Sequence, residues 1–150
     1  MTGVGIRVRM AFERVYTVWD YWDGPRSGIA EYRGQAHHFR CEWNEIEDDY
    51  AETFVLAPIG QEMLTLAMDQ LAIWRDWESA FHRGEVPQST HPALADPRYN
   101  QLEGTIRDRI SSERRESRRA VPVFRIRLGQ ASAPPGVIRE LKVEWTDIED

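Results

Sequence analysis

Along this 150-residue chain the hydrophobic positions follow a strand period, then a helix period, then a strand period again. Arg14–Trp22 is apolar on both alternating sets: Val15, Trp19 and Tyr21 on one, Tyr16, Val18 and Trp22 on the other. That suits an inner strand covered on both faces. Asp23–Gly28, with two glycines and a proline, predicts a turn. Gly28–Tyr32 and Gln35–Trp43 then flank Arg33-Gly34 as a hairpin. Arginine is a poor first residue for a two-residue mirror-image turn, so a three-residue loop with a bulge at Gly34 is expected. That register pairs Ile29 with His37 and turns His37, Phe39, Cys41 and Trp43 inward, leaving His38, Arg40 and Glu42 to water. A two-residue loop would pair Ile29 with His38 and flip the faces. Acidic Glu45–Asp49 reads as a loop and Tyr50–Ala57 as a strand stopped by Pro58.

The period changes at Gln61. Met63, Leu64, Leu66, Ala67, Leu71, Ile73, Trp74, Trp77, Ala80 and Phe81 cover a wide arc of a helix over Gln61–Arg83, ended by Gly84 and Pro87. So broad an arc predicts a helix laid across the sheet as its main cover, with Trp74, Trp77 and Phe81 supplying much of the core. Glu85–Ala95 is a proline-bearing connector. Asp96-Pro97 signals a second helix, with Asp96 as N-cap. It runs to about Arg119 on a narrow stripe of Leu102, Ile106 and Ile110, interrupted by Gly104. Strand alternation returns in Val121–Leu128 (Phe124, Ile126 and Leu128 against Arg125 and Arg127) and in Arg139–Thr146 (Leu141, Val143 and Trp145 against Lys142 and Glu144). Gly129–Gly136 joins them as a long loop.

The expectation is a single α+β domain over 1–150. A mainly antiparallel sheet of about five to seven strands (a β-meander, two helices, a β-hairpin) would carry the long amphipathic helix on one face. Residues 1–9 would be a short edge strand or, if Met10 is the true start, an upstream extension.

Composition narrows function without specifying it. A hydrophobic fraction of 41% and a charged fraction of 29% are those of an ordinary soluble domain. No apolar run nears the roughly 20 residues of a membrane span, and the N-terminus lacks a signal-peptide h-region. A bacterial cytoplasmic protein is the expectation. Net charge is −6, unevenly spread: −8 over residues 1–96, +3 over 97–119 and −1 thereafter. The acidic body argues against a nucleic-acid partner. Cys41 is the only cysteine, so no intrachain disulfide exists and it reads as a small core hydrophobe.

Chemically able side chains concentrate around the first turn. Asp20, Trp22, Asp23, Arg26, His37 and His38 are the candidate ligand- or partner-binding residues. The glycine-bearing DGPRSG turn could aim N–H groups at an anion beside an Arg26 clamp, but it matches neither phosphate-loop pattern. Ser27 lacks the G-x-S-x-G of a nucleophile elbow. His37 and His38, adjacent on a strand, point to opposite faces, and His82 and His91 add no ligand spacing, so no metal or other cofactor is expected. Glu42, Glu45, Glu47, Asp48 and Asp49 read as a solvated acidic loop. The ERRESRR run of Glu113–Arg119 reads as a salt-bridged helix end, with Glu103 placed to pair with Arg107.

No catalytic motif is present. The leading expectation is a non-catalytic protein-interaction domain, antitoxin- or immunity-like or a homo-oligomer subunit. A competing one is a small-molecule binder or hydrolase with a cleft at Asp23–Gly28, where Asp20, Asp23, Arg26 and His37 or His38 converge. A third is nucleic-acid binding through the arginine-rich 107–119 helix.

Overall fold

The computed structural model describes residues 12–112, 116–126 and 141–148. Six antiparallel strands of the described residues form one sheet: β1 (Glu13–Tyr21), β2 (Pro25–Tyr32), β3 (Gln35–Asn44), β4 (Asp49–Pro58), β5 (Arg118–Ile126) and β6 (Leu141–Asp147). The sheet does not stay open. Each strand pairs with the next, and β6 returns to β1 through Glu13↔Val143 and Arg14↔Lys142, closing a barrel. Between β4 and β5 lie α1 (Gln61–His82), a 3-10 turn at Gln88–Thr90, α2 (Pro92–Ala95) and α3 (Pro97–Ser112). The strands and the helices form two compact units.

Closure relocates the core. A barrel buries one face of every strand inside itself. Its interior holds Ala30, Tyr32, Phe39, Cys41, Phe54, Leu56, Ala120 and Val143, with Val15, Val18, Tyr50, Phe124 and Trp145 packed against them. Phe39, Phe54, Phe124 and Trp145 all lie within 5.9–6.1 Å of one another by ring centroid. The sheet therefore supplies its own aromatic core and does not need the long helix as its main cover. Trp74, Trp77 and Phe81, expected there, are only half-buried on α1.

Several local expectations are corrected by pairing. β1 shifts register between Val15 and Thr17, and twice more before Tyr21. Val15 and Val18 therefore both reach the interior, although strict alternation puts them on opposite faces. Pro25 to Gly28, expected in a turn, are already strand β2; only Trp22–Gly24 bends. The β2–β3 loop has two residues, not three. Ile29 pairs with His38 and Ala30 with His37, and φ is positive at both Arg33 (54°) and Gly34 (79°). Four contacts hold Arg33 in that uncommon backbone. The Arg33 and Gly34 amides donate to the Glu13 carboxylate (3.1 and 2.7 Å), and the guanidinium pairs with Asp147 and lies over the Tyr32 ring. Together they offset the roughly 1–2 kcal/mol that a non-glycine residue costs there.

The inward set is Phe39 and Cys41, as expected, but Trp43 is half exposed. It lies past a register shift in which three residues of β4 stand against Glu42, and there it pairs with Tyr50. His38, expected in water, is buried, with its ring 5.7 Å from Trp19.

In the helical unit Gln61–His82 forms as predicted. Its buried residues are Met63, Ala67 and Gln70, a narrow stripe at helical spacing. Pairs Glu62–Arg109 and Asp69–Arg98, and the Gln70–Glu103 hydrogen bond, tie α1 to an antiparallel α3. Asp96 caps α3, accepting from the Arg98 and Tyr99 amides, and the expected Glu103–Arg107 pair forms at 2.8 Å. The helix stops at Ser112, however. Arg118 and Arg119 belong to β5, and Arg119 grips the Glu42 carboxylate through two nitrogens. The arginine-rich 107–119 helix is thus corrected at its C-terminal end. Glu113–Arg115, the Gly129–Gly136 loop with Arg127, Leu128 and Arg139, and the proposed edge strand before Met10 lie outside the described residues.

Candidate functional site

In a meander the β1–β2 and β3–β4 turns fall at the same end of the barrel. Arg26 joins them. Its Nε donates to the Trp22 carbonyl (2.8 Å) and one terminal nitrogen to the Asp23 carbonyl (3.2 Å). The other terminal nitrogen reaches Cys41 Sγ at 3.5 Å, and Cζ lies 4.3 Å from the Tyr50 ring centre. Tyr50 in turn meets Trp43 edge to face at 5.1 Å. Arg26 is therefore committed to its own chain. It is a clasp between two turns, and the anion clamp imagined from the sequence is not what its donors form.

Around that clasp the apolar groups face water. Tyr21 is 69% exposed, Trp22 72%, Trp43 50% and Ile46 97%. Two of these exposures, at Trp22 and Ile46, have a local cause. Asp23 and Gly24 take positive φ, so the chain reverses just after Trp22 and throws that side chain outward. Trp43 lies past the β3–β4 register shift, paired with Tyr50. Asn44 Oδ1 accepts from the amides of Ile46 (3.0 Å) and Glu47 (3.1 Å), an Asx-turn that holds Ile46 at the loop tip.

Carboxylates rim the aromatics. Asp20, Asp23, Glu45, Glu47, Asp48 and Asp49 lie in or next to the two turns, where Arg26 is the one cation among the described turn residues. Asp20 accepts from Ser27 Oγ at 2.8 Å and Asp49 from the Tyr50 amide at 2.7 Å. Arg125, towards the corresponding end of β5, sits over the Phe12 ring.

Comparison of the chain with protein-family models, with curated proteins and with solved structures finds no match. The residues alone carry the assignment.

Of the six predicted site residues the fold brings four together: Asp20, Trp22, Asp23 and Arg26. The two histidines belong elsewhere on β3. His37 is buried against Tyr32 edge to face (5.0 Å), and its Nδ1 donates to the Gln35 carbonyl at 2.8 Å. Burial pushes its pKa below the ordinary histidine value, and the Arg118 cation adds to this; the Gln35 carbonyl and Glu13 oppose it. The Tyr32 hydroxyl donates to Asp147 at 2.6 Å, and burial followed by that carboxylate raises its pKa. This polar cluster braces the β2–β3 turn and β6.

Cys41 is buried with its thiol on the Ala51 carbonyl (3.2 Å), and burial raises its pKa despite Arg26. It behaves as the expected core hydrophobe. Among the described residues no three His, Cys, Asp or Glu side chains are grouped as metal ligands, and no helix is long and apolar enough to cross a membrane.

Sequence reading missed Tyr21, Trp43 and Ile46 as surface groups, and Tyr50 as the ring beneath Arg26. Asn44 two residues before Ile46 was the one local signal available. The rest depends on register.

Proposed function

We propose that this chain is a non-catalytic protein-interaction domain that docks a partner on the barrel end carrying Tyr21, Trp22, Trp43 and Ile46. The supporting observation is the exposure of these four large apolar groups in or beside two turns at one barrel end, where Arg26 links the Trp22 backbone to Tyr50 and Tyr50 meets Trp43. Aromatic residues dominate binding hot spots because they bury much area at little entropic cost, and a carboxylate rim rejects wrong partners. Antitoxin- or immunity-like binding, in a cytoplasmic setting, is one form this reading takes.

Against the cleft-enzyme alternative, His37 donates to the Gln35 carbonyl and not to a carboxylate of the first turn, and His38 is buried beside Trp19. The nucleic-acid alternative loses two of its arginines to a strand.

The test is co-purification of the full chain from its native host, compared with Trp22→Ala/Trp43→Ala. A stoichiometric complex by native mass measurement, weakened at least about 30-fold in the double variant, is expected. A partner held equally well by the variant would defeat the reading.

A further inference from the structure

The second inference rests on the docking reading and names the chemistry of what docks. We propose that this barrel end receives a cationic segment of another protein, one with lysine or arginine beside an apolar anchor. Two features of the same surface point that way.

The first is the charge that surrounds the aromatics. Within the described β1–β2 and β3–β4 turns and the residues beside them, six carboxylates, Asp20, Asp23, Glu45, Glu47, Asp48 and Asp49, accompany the one cation Arg26, whose donors go to its own Trp22 and Asp23 carbonyls. An incoming anion finds no cation of these turns with its donors open. An incoming lysine or arginine finds several oxygens whose partners, where present, are single local donors. Opposite charge at such a rim raises the association rate and excludes acidic competitors, while the apolar contacts supply affinity.

The second is the type of apolar group displayed. Trp22, Trp43 and Tyr21 present ring surface that attracts a cation, tryptophan most strongly. The chain already uses the interaction here, holding the Arg26 guanidinium 4.3 Å from the Tyr50 centre. A guanidinium from a partner would meet the same chemistry at the exposed rings, and its methylenes would lie along the apolar groups.

The same arithmetic argues against a second copy as the occupant. A two-fold dimer sets one patch against itself, bringing both sets of carboxylates together. Nucleic acid is repelled for the same reason.

The experiment selects twelve-residue peptides from a random displayed library on the full chain, with Trp22→Ala/Trp43→Ala as counter-target. Synthetic copies of the recovered peptides are then titrated by tryptophan fluorescence. A Glu45→Gln/Glu47→Gln/Asp48→Asn variant is run alongside; asparagine suits the positive φ at position 48. Circular dichroism verifies that each variant is folded. Recovered peptides are expected to be net positive with at least one aromatic or large aliphatic residue. Their affinity should fall at least about tenfold in the neutralised variant, and clearly when salt rises from about 0.05 to 0.5 M.

Neutral or acidic peptides that need both tryptophans and ignore salt would overturn the cationic assignment and leave the docking surface standing. A dimer of the chain itself, abolished by the tryptophan substitutions, would do the same. Peptides that bind the counter-target equally, or no enrichment at all, would remove the docking surface too.

Discussion

Replacing Gly28 with alanine should cost about 2–3 kcal/mol, because the barrel wall is closed around the missing side chain. A Cβ built at this position falls 2.1 Å from the Thr17 carbonyl oxygen, 2.9 Å from Val18 Cα and 3.0 Å from Phe39 Cζ. A comfortable carbon–oxygen approach is about 3.3 Å, so β1 would have to withdraw by about 1 Å. The obstacle is backbone, which has no rotamer to change. That displacement breaks one or two β1–β2 hydrogen bonds at about 1 kcal/mol each and adds overpacking strain of about 1–3 kcal/mol. Loss of unfolded-state freedom returns only about 0.4–1 kcal/mol. For a chain of this length the melting temperature should fall by roughly 5–10 °C. Urea unfolding followed by tryptophan fluorescence measures the loss, with Trp145 packed against the barrel core among the six tryptophans of the chain. Equal stability within about 0.5 kcal/mol would show that β1 and β2 do not approach as closely as described, and the closed wall would have to be abandoned.

Three other substitutions test separate parts of the fold. Gly104→Ala lies inside α3 with nothing within 4 Å of the added carbon, so it should stabilise the helical unit by about 0.5–1 kcal/mol; a loss in thermal unfolding would contradict the open site. Glu13→Gln weakens the acceptor of two turn amides and should cost about 1 kcal/mol by chemical denaturation, more than Glu52→Gln on β4; equal effects would deny Glu13 its role. His37 has its folded pKa depressed by burial, so the unfolded chain takes up a proton first as pH falls. The contribution is complete above about pH 6.5 and is lost below it, down through the folded pKa, at up to about 1.4 kcal/mol per pH unit. Unfolding free energy measured from pH 8 to 5 should flatten in His37→Gln relative to the parent, and an unchanged slope would refute the assignment.

Periodicity carried the element types a long way. Strand, helix and strand runs appear where alternation and helical spacing put them, and Asp96 caps the helix that its position announced. What alternation does not contain is closure. Phe124 and Trp145 look the same whether they face a covering helix or the far wall of a barrel. The difference is two residue pairs between Glu13-Arg14 and Lys142-Val143, more than 120 positions apart in the chain. Arg33 misled for a related reason. Its intrinsic dislike of positive φ is real, but Glu13 and Asp147 outweigh it, and neither is near it in sequence.

The same limit decides how much of the candidate site was legible. Asp20, Trp22, Asp23 and Arg26 are neighbours in the chain, so a local reading could group them. His37 and His38 were added because a hairpin can fold them back, but hairpin register sets how far along β3 they lie from Arg26. Arg26 meets Cys41, three and four residues beyond them. Trp43 was lost for a different reason. Alternation keeps it in phase with Phe39 and Cys41, and its cross-strand partner Tyr50 packs against the core, yet Trp43 itself is half exposed. Past Cys41 the pairing slips, with Ala51, Glu52 and Thr53 of β4 set against Glu42 alone. A slip is a relation between two strands, so no pattern within β3 could report it. Replacing Trp43 alone with alanine, Trp22 kept, should weaken peptide capture at least about tenfold. Capture that survives this substitution unchanged would mean that Trp43 is not part of the docking surface.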